Sequence, residues 1–204
     1  MIVILNGAPR SGKTSIAKRL MERDQGHWVN LGVDAVLKEM TPRHLLPGIG
    51  LRPGGERPDL EEFIQKSYLA LYESMAAHAR LGIKVVSDVG HHDNYSKPLE
   101  ILPQCLAILE YLPVLMVGVK ADLEDILARR QNSSSEYVRS TADIPVPKPV
   151  VDWQEHVHQP GVYDISLNTS SSTIDECCDV LIEELNQNLQ NWTAAKRILE
   201  IARA

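Results

Sequence analysis

Residues 7 to 14 read Gly7-Ala8-Pro9-Arg10-Ser11-Gly12-Lys13-Thr14. Two glycines five positions apart, followed at once by a lysine and a hydroxyl residue, are the types and spacing that wrap a polyphosphate, the Walker A pattern. Glycine lets backbone N–H groups close on an anion without a Cβ in the way, and a helix starting there adds positive potential. Lys13 is placed to reach the β- and γ-phosphates, and the Thr14 hydroxyl to ligate Mg²⁺. The loop has the context the pattern needs, because Ile2–Asn6 reads as a strand and Gly12–Arg23 as a helix.

Two carboxylates follow other strand-like runs. Asp34, in Gly32-Val33-Asp34, comes directly after a predicted second strand. In open α/β sheets ligands lie beyond the carboxyl ends of the strands. An aspartate there can take the proton of a substrate hydroxyl, or it can cap the helix predicted over Ala35–Met40. Asp88 ends the apolar run Val85-Val86-Ser87, the form of a Walker B strand whose acid holds Mg²⁺ or its water. The next residues, His91, His92 and Asp93, read as loop residues near the substrate, since adjacent histidines are badly spaced to share one metal ion. Arg129 and Arg130 close a predicted helix and, with Arg139, are candidates to neutralise charge on a transferring phosphoryl group. They also suit the negative end of a helix dipole. Thr169, after the last predicted strand, belongs near a bound adenine or at a helix cap.

The elements that must hold these residues alternate along the chain. Strands are predicted at Ile2–Asn6, His27–Leu31, Ile83–Ser87, Pro113–Val119 and Val162–Leu167. Helices are predicted at Gly12–Arg23, Leu60–Leu81, Tyr95–Leu109 and Leu123–Gln131. That alternation implies a parallel sheet with helices on both faces. Thr173–Ala204 reads as helical with a break near Asn188–Asn191, its start marked by Ser172-Thr-Ile-Asp-Glu. Two stretches resist the pattern. Thr41–Asp59 holds four prolines and four glycines and is the expected acceptor-site loop. Residues 132–151, rich first in serine and then in proline, are the expected lid.

Composition narrows the class. The chain has 204 residues, 44% apolar and 24% charged, enough for one domain with a real core. No run approaches the ~20 apolar residues of a membrane span, and the N-terminus reads as a strand, so a cytoplasmic protein with no membrane partner is expected. A net charge of −6 without a basic run disfavours a nucleic-acid substrate. Cys105, Cys177 and Cys178 lack metal-ligand spacing and are read as core residues.

At this point the chain resembles the chloramphenicol phosphotransferase-like P-loop kinases. The likeness rests on the Walker A segment, on Leu31-Gly-Val-Asp34, on Val117-Gly-Val-Lys-Ala-Asp122, and on His158-Gln-Pro-Gly-Val-Tyr163-Asp164 running to Asn168-Thr169 and Glu176-Cys177. The resemblance implies that Asp34 is the catalytic base, that Asp88 ends the third strand and that Arg129 stands at the base of the lid. The lid, the Thr41–Asp59 segment and the tail after Leu185 depart from the family pattern. Taken together, these readings predict an α/β P-loop NTPase fold of the nucleoside-monophosphate-kinase-like kind. It is a three-layer sandwich over residues 1–204 with a five-stranded parallel sheet, a lid and a helical tail. The expected activity is Mg²⁺- and ATP-dependent phosphorylation of a hydroxyl on a small molecule, with chloramphenicol or a related antibiotic among the acceptors. Lys13, Asp34 and Arg129 are the expected catalytic set. Residues Gly7–Thr14, Arg130 and Thr169 are assigned to the nucleotide, and Thr14 and Asp88 to the metal. A nucleotide-sugar, nucleoside or metabolite kinase, or a non-catalytic nucleotide switch, are the alternatives. Oligomeric state is not legible, and the tail is expected to pack on its own domain.

Overall fold

The computed structural model describes residues 1–45, 51–132, 140–141, 143–186 and 191–204. Five parallel strands form one sheet in the order β2-β3-β1-β4-β5: β1 Ile2–Asn6, β2 Trp28–Asn30, β3 Lys84–Val89, β4 Val114–Lys120 and β5 Ile165–Asn168. The central strand, β1, is apolar at every position but its last because both faces are covered. Its register sets Ile2 against Val85 on one side and Val114 on the other. Asn6 therefore ends level with Val89 and Gly118 at the carboxyl edge.

Alternate residues of β1 serve two cores. Val3 and Leu5 pack with Ile16, Ala17 and Leu20 of α1 (Lys13–Arg23) and with Cys177, Cys178 and Leu181 of α7 (Ile174–Leu185). Ile2 and Ile4 pack with Ile64, Tyr68, Leu71 and Met75 of α3 (Glu61–Arg80), whose helical spacing puts them on one stripe. The remaining helices are α2 (Val33–Met40), α4 (Ile101–Ile108), α5 (Leu123–Gln131), α6 (Lys148–His156) and α8 (Ala194–Arg203).

Several predicted boundaries shift. The helix expected from Tyr95 starts at Ile101. The preceding loop is held by side chains instead: the Asp93 carboxylate accepts from the N–H groups of Leu99 and Glu100, and Glu61 accepts from Ser96. Tyr95 and Leu99 still reach the core, so their apolar spacing imitates a helix. The expected lid contains the start of α6, entered through Pro147 with a second proline in its first turn, where a missing N–H costs nothing. The last strand begins at Ile165, not Val162. By contrast, α7 opens where its start signature lies, with Thr173 as cap and a reciprocal capping box to Glu176. Within the expected acceptor-site loop, 3₁₀ turns occupy Arg43–Leu45 and Pro58–Leu60. Residues 46–50 of that loop, residues 133–139 and 142 of the lid, and the predicted break at 188–190 lie outside the described residues. Among the described residues no helix is long and apolar enough to cross a membrane.

The tail packs on its own core. Ala194, Ile198 and Leu199 of α8 are buried beside Leu102 and Met116. Asp164 fixes the helix start: Oδ1 accepts from Thr193 N at 2.8 Å and Ala194 N at 2.9 Å, while Oδ2 accepts from Met116 N at 2.9 Å. Replacing this carboxylate orphans three N–H donors. Asp164→Ala is therefore expected to lose roughly 2–4 kcal/mol of stability, read as a lower urea midpoint; an unchanged midpoint would show that α8 is held by packing alone.

Candidate active site

The phosphate loop is forced into shape by its neighbours. A Cβ on Gly7 would lie 2.2 Å from Val119 O and 2.9 Å from Ser11 Oγ, so only glycine lets the chain leave β1 past β4. Ala8 is buried under Val150, Trp153 and Val157. Pro9 and Arg10 form the turn, Arg10 at φ 73° and Gly12 at φ 96°. A Cβ on Gly12 would also meet the Thr169 methyl at 3.0 Å. Ser11 is buried, and α1 then begins at Lys13.

Lys13 Nζ donates to Gly7 O at 2.7 Å and Ala8 O at 2.8 Å. Burial pulls its pKa down to about 8, against the opposing charges of Asp88 and Asp34. A lysine so placed holds its proton weakly until an anion arrives. Thr14 Oγ1 donates to Asp88 Oδ2 at 2.5 Å, joining the two residues assigned to the metal. They form a hard, all-oxygen pair beside the cradle, which fits Mg²⁺ completing its shell with phosphate oxygens and water.

Gly32 shows why the second acid follows a glycine. A Cβ there would sit 1.8 Å from Asp88 Oδ1, so the start of α2 rests against the Asp88 carboxylate. Asn30 Oδ1 fixes the turn by accepting from Gly32 N at 2.8 Å. Helix α2 starts at Val33, which places Asp34 inside the first turn and not at the cap position expected for a helix from Ala35. Asp34 is exposed. Its carboxylate is near enough to Lys13 and to Tyr68 of α3 for its charge to raise the pKa of each.

A cavity of about 560 Å³ extends from the loop on the α7 side, lined by Arg10, Lys13, Thr14, Arg129, Thr169 and Thr173 among others. Arg129 spans its wall: Nη1 donates to Arg10 O at 3.1 Å and Thr169 Oγ1 at 2.9 Å, and Nη2 to Thr169 O at 2.9 Å. Thr169 Oγ1 in turn donates to Ser11 O at 2.9 Å. Arg129 and Thr169 thus lie together in the wall of this cavity. Arg130 does not line this cavity; it is buried on the face of α5 that carries Ile126. Arg139 lies outside the described residues.

Across the loop, His91 and His92 are separated and not paired. His91 Nε2 meets Tyr72 Oη at 2.8 Å, and its ring packs 4.7 Å from that of Tyr68. His92 Nε2 donates to Leu51 O at 2.9 Å, which leaves Nδ1 a buried acceptor with no donor among the described residues. Its ring lies between Tyr95 at 4.3 Å and Trp153 at 5.2 Å. Trp153 reaches back over Gly90, where a Cβ would meet its ring at 2.9 Å. Among the described residues no cluster of histidine, cysteine and acidic groups could hold a metal ion.

Sequence reasoning gave no role to four residues that organise this region: Asn6, Gly32, Trp153 and Tyr163. The polar end of the otherwise apolar β1, set directly before Gly7, was the available signal for Asn6. Trp153 carried no signal, because its helix lay at the end of a stretch read as irregular.

A phosphate loop at the end of the central strand of a parallel 2-3-1-4-5 sheet, with a strand-terminal acid beside its threonine, defines the P-loop kinase fold. The chain belongs to the chloramphenicol phosphotransferase-like family, whose family model matches residues 1–186. Solved structures share the fold at low identity. A sugar kinase from Janibacter sp. HTCC2649 is 15% identical, with 94% of this chain and 98% of that one covered and a TM-score of 0.61. Shikimate kinase from Acinetobacter baumannii in complex with shikimate is 10% identical, covers 90% and 92%, and scores 0.60. An APS kinase from Mycobacterium tuberculosis is 16% identical, covers 91% and 96%, and scores 0.51. No curated protein sequence matches the chain significantly.

Burial also sets a pH response. It lowers the pKa of His91 to about 3, and those of His92 and His158 to about 4. The folded state therefore prefers neutral imidazoles. Their contribution to stability is complete above about pH 6.5, the unfolded value, and falls away as pH drops toward 4. Urea midpoints are expected to decline across that window, and less steeply in His92→Gln, which keeps a donor for Leu51 O. An equally steep decline in that variant would mean that His92 is not a source of the loss.

Proposed function

We propose that this protein is an ATP-dependent kinase that transfers the γ-phosphoryl group to a hydroxyl of a small molecule. One observation carries the reading. Beside the cradle, Lys13 and the Thr14–Asp88 pair stands a second acid: Asp34 follows Gly32, which abuts Asp88, and lies near enough for its charge to act on Lys13. A nucleotide switch needs no second acid beside its phosphate loop, so this favours a kinase.

ATP would occupy the 560 Å³ cavity, its phosphates in the Gly7–Thr14 loop and its nucleoside end toward Arg129 and Thr169. Lys13 would exchange its two carbonyl partners for β- and γ-phosphate oxygens, which also favour its charged form. Bound Mg²⁺, held by Thr14 and Asp88, supplies charge neutralisation on those oxygens. Asp34 accepts the acceptor's hydroxyl proton as that oxygen bonds to the γ-phosphorus. The bond from phosphorus to the bridging oxygen breaks, and ADP departs with the electron pair. Arg129, clamped against Arg10 O and Thr169, serves the nucleotide side of the site. Trp153, lying across Gly90, helps keep water from competing as acceptor.

The family name makes chloramphenicol the first acceptor to test, with nucleosides and nucleotide sugars as the alternative class. The net charge of −6 suits a small-molecule substrate better than a polynucleotide, and the enzyme is proposed to be cytoplasmic. The decisive measurement is ADP formation with and without each acceptor. Asp34→Asn is expected to lower acceptor-dependent turnover about 10²- to 10⁴-fold while nucleotide affinity stays within about threefold. Near-normal turnover in Asp34→Asn removes the assigned base. Tight ATP binding with no acceptor-dependent ADP across the panel supports the switch.

A further inference from the structure

Every polar atom of the Asn6 side chain has a partner. Oδ1 accepts from His91 N at 2.7 Å, and Nδ2 donates to Val157 O at 2.8 Å and Tyr163 Oη at 2.9 Å. The backbone partners fix which end of the amide is which, because an N–H can only donate and a carbonyl can only accept. Tyr163 Oη accepts from Asn6, so its one hydrogen is free for His158 Nδ1, 2.8 Å away. A neutral imidazole that accepts at Nδ1 carries its proton on Nε2. The tyrosine is itself placed by the sheet: a Cβ on Gly118 would lie 2.6 Å from its ring, so the ring rests on the glycine of β4.

This chain of bonds adjoins the phosphate loop through Asn6 and Val157. Val157, the residue before His158, is buried against Ala8 of the loop, and Asn6 precedes Gly7 directly. Burial and the positive charges of Lys120 and Lys13 keep the imidazole neutral at physiological pH. An imidazolium there would repel the lysine that the phosphates require.

We propose that Asn6 and Tyr163 are positioning residues that hold His158 as an Nε2–H donor to a phosphoryl oxygen in the cleft beside Lys13. The inference rests on the phosphotransfer reading and deepens it. An uncharged, preoriented donor stabilises negative charge that grows during transfer and adds no repulsion to Lys13. It gives up no proton, so it complements Asp34 without competing as a second base.

The test uses the full chain and ¹⁵N NMR of its imidazoles, with the magnesium salt of a non-hydrolysable ATP analogue as probe. In the free protein His158 is expected to read as the Nε2–H tautomer, and its Nε2 resonance to shift on saturation. Tyr163→Phe should turn it into a tautomer mixture. In turnover assays His158→Phe should lower kcat about 100-fold, with the KM for ATP within about threefold. His158→Gln, which keeps an N–H near the Nε2 position, should recover part of the loss. An Nδ1–H tautomer, an Nε2 resonance unmoved at saturation, or an undiminished kcat in His158→Phe would overturn the proposal. Failure of the analogue to bind at all would instead bring down the nucleotide reading, and this inference with it.

Discussion

The amide of Asn6 is the junction on which the site depends. It sits at the end of the central strand, buried to 2% exposure, where three segments with different tasks converge. The phosphate loop leaves from its own carbonyl side, the aromatic loop of His91 and His92 hangs from its Oδ1, and the chain after α6 hangs from its Nδ2. A buried amide tolerates no unmet donor or acceptor, so the three segments can coexist only in the spacing that satisfies all of its bonds. A leucine in its place would fill the volume and leave His91 N and Val157 O without partners. That is why an otherwise apolar strand closes on a polar residue.

Charge in the cleft follows from the same crowding. Four of the groups that meet there, Lys13, His91, His92 and His158, have pKa values lowered by burial. The acids stand farther out: Asp34 is exposed and Asp88 is half-buried, tied to Thr14. An empty site with buried neutral or weakly charged bases and outward acids suits an anionic guest. On the proposed function, phosphate would restore the charge of Lys13, and the carboxylates would remain available for a metal ion and a hydroxyl proton. The histidines contribute hydrogen bonds without adding to the positive potential, which keeps the cradle's attraction centred on Lys13 and the loop N–H groups.

How much of this was legible in the sequence depended on whether the signal was local. The phosphate loop was, because its requirements are met by adjacent residues, and five strands and most helices followed from apolar spacing. Tyr95–Leu109 misled because buried side chains of a loop can fall at helical intervals when Asp93 and Glu61 hold that loop in place. Helix α6 was hidden by prolines that mark its entry, not its absence. That Gly32, two residues before Asp34, lies against the Asp88 carboxylate was not legible, since this closeness arises where β2 and β3 meet in the sheet. Likewise Asn6 joins residues 85, 151 and 157 positions away, and no short-range pattern reports such a bond.

The tail shows how the fold can be extended without touching this chemistry. The family match ends at residue 186, yet α8 is buried through Ala194, Ile198 and Leu199 in the same core that carries Tyr68 and Tyr72. Without it, Leu102, Met116 and their neighbours on the sheet face would open to solvent, at about 25 cal/mol for each Å² of apolar surface uncovered. The attachment point is Asp164, whose side chain faces α8 while the residue before it, Tyr163, faces Asn6. One dipeptide at the entry to β5 therefore serves both the added helix and the junction behind the phosphate loop. The tail can brace the scaffold from outside while the groups that meet the nucleotide keep their places.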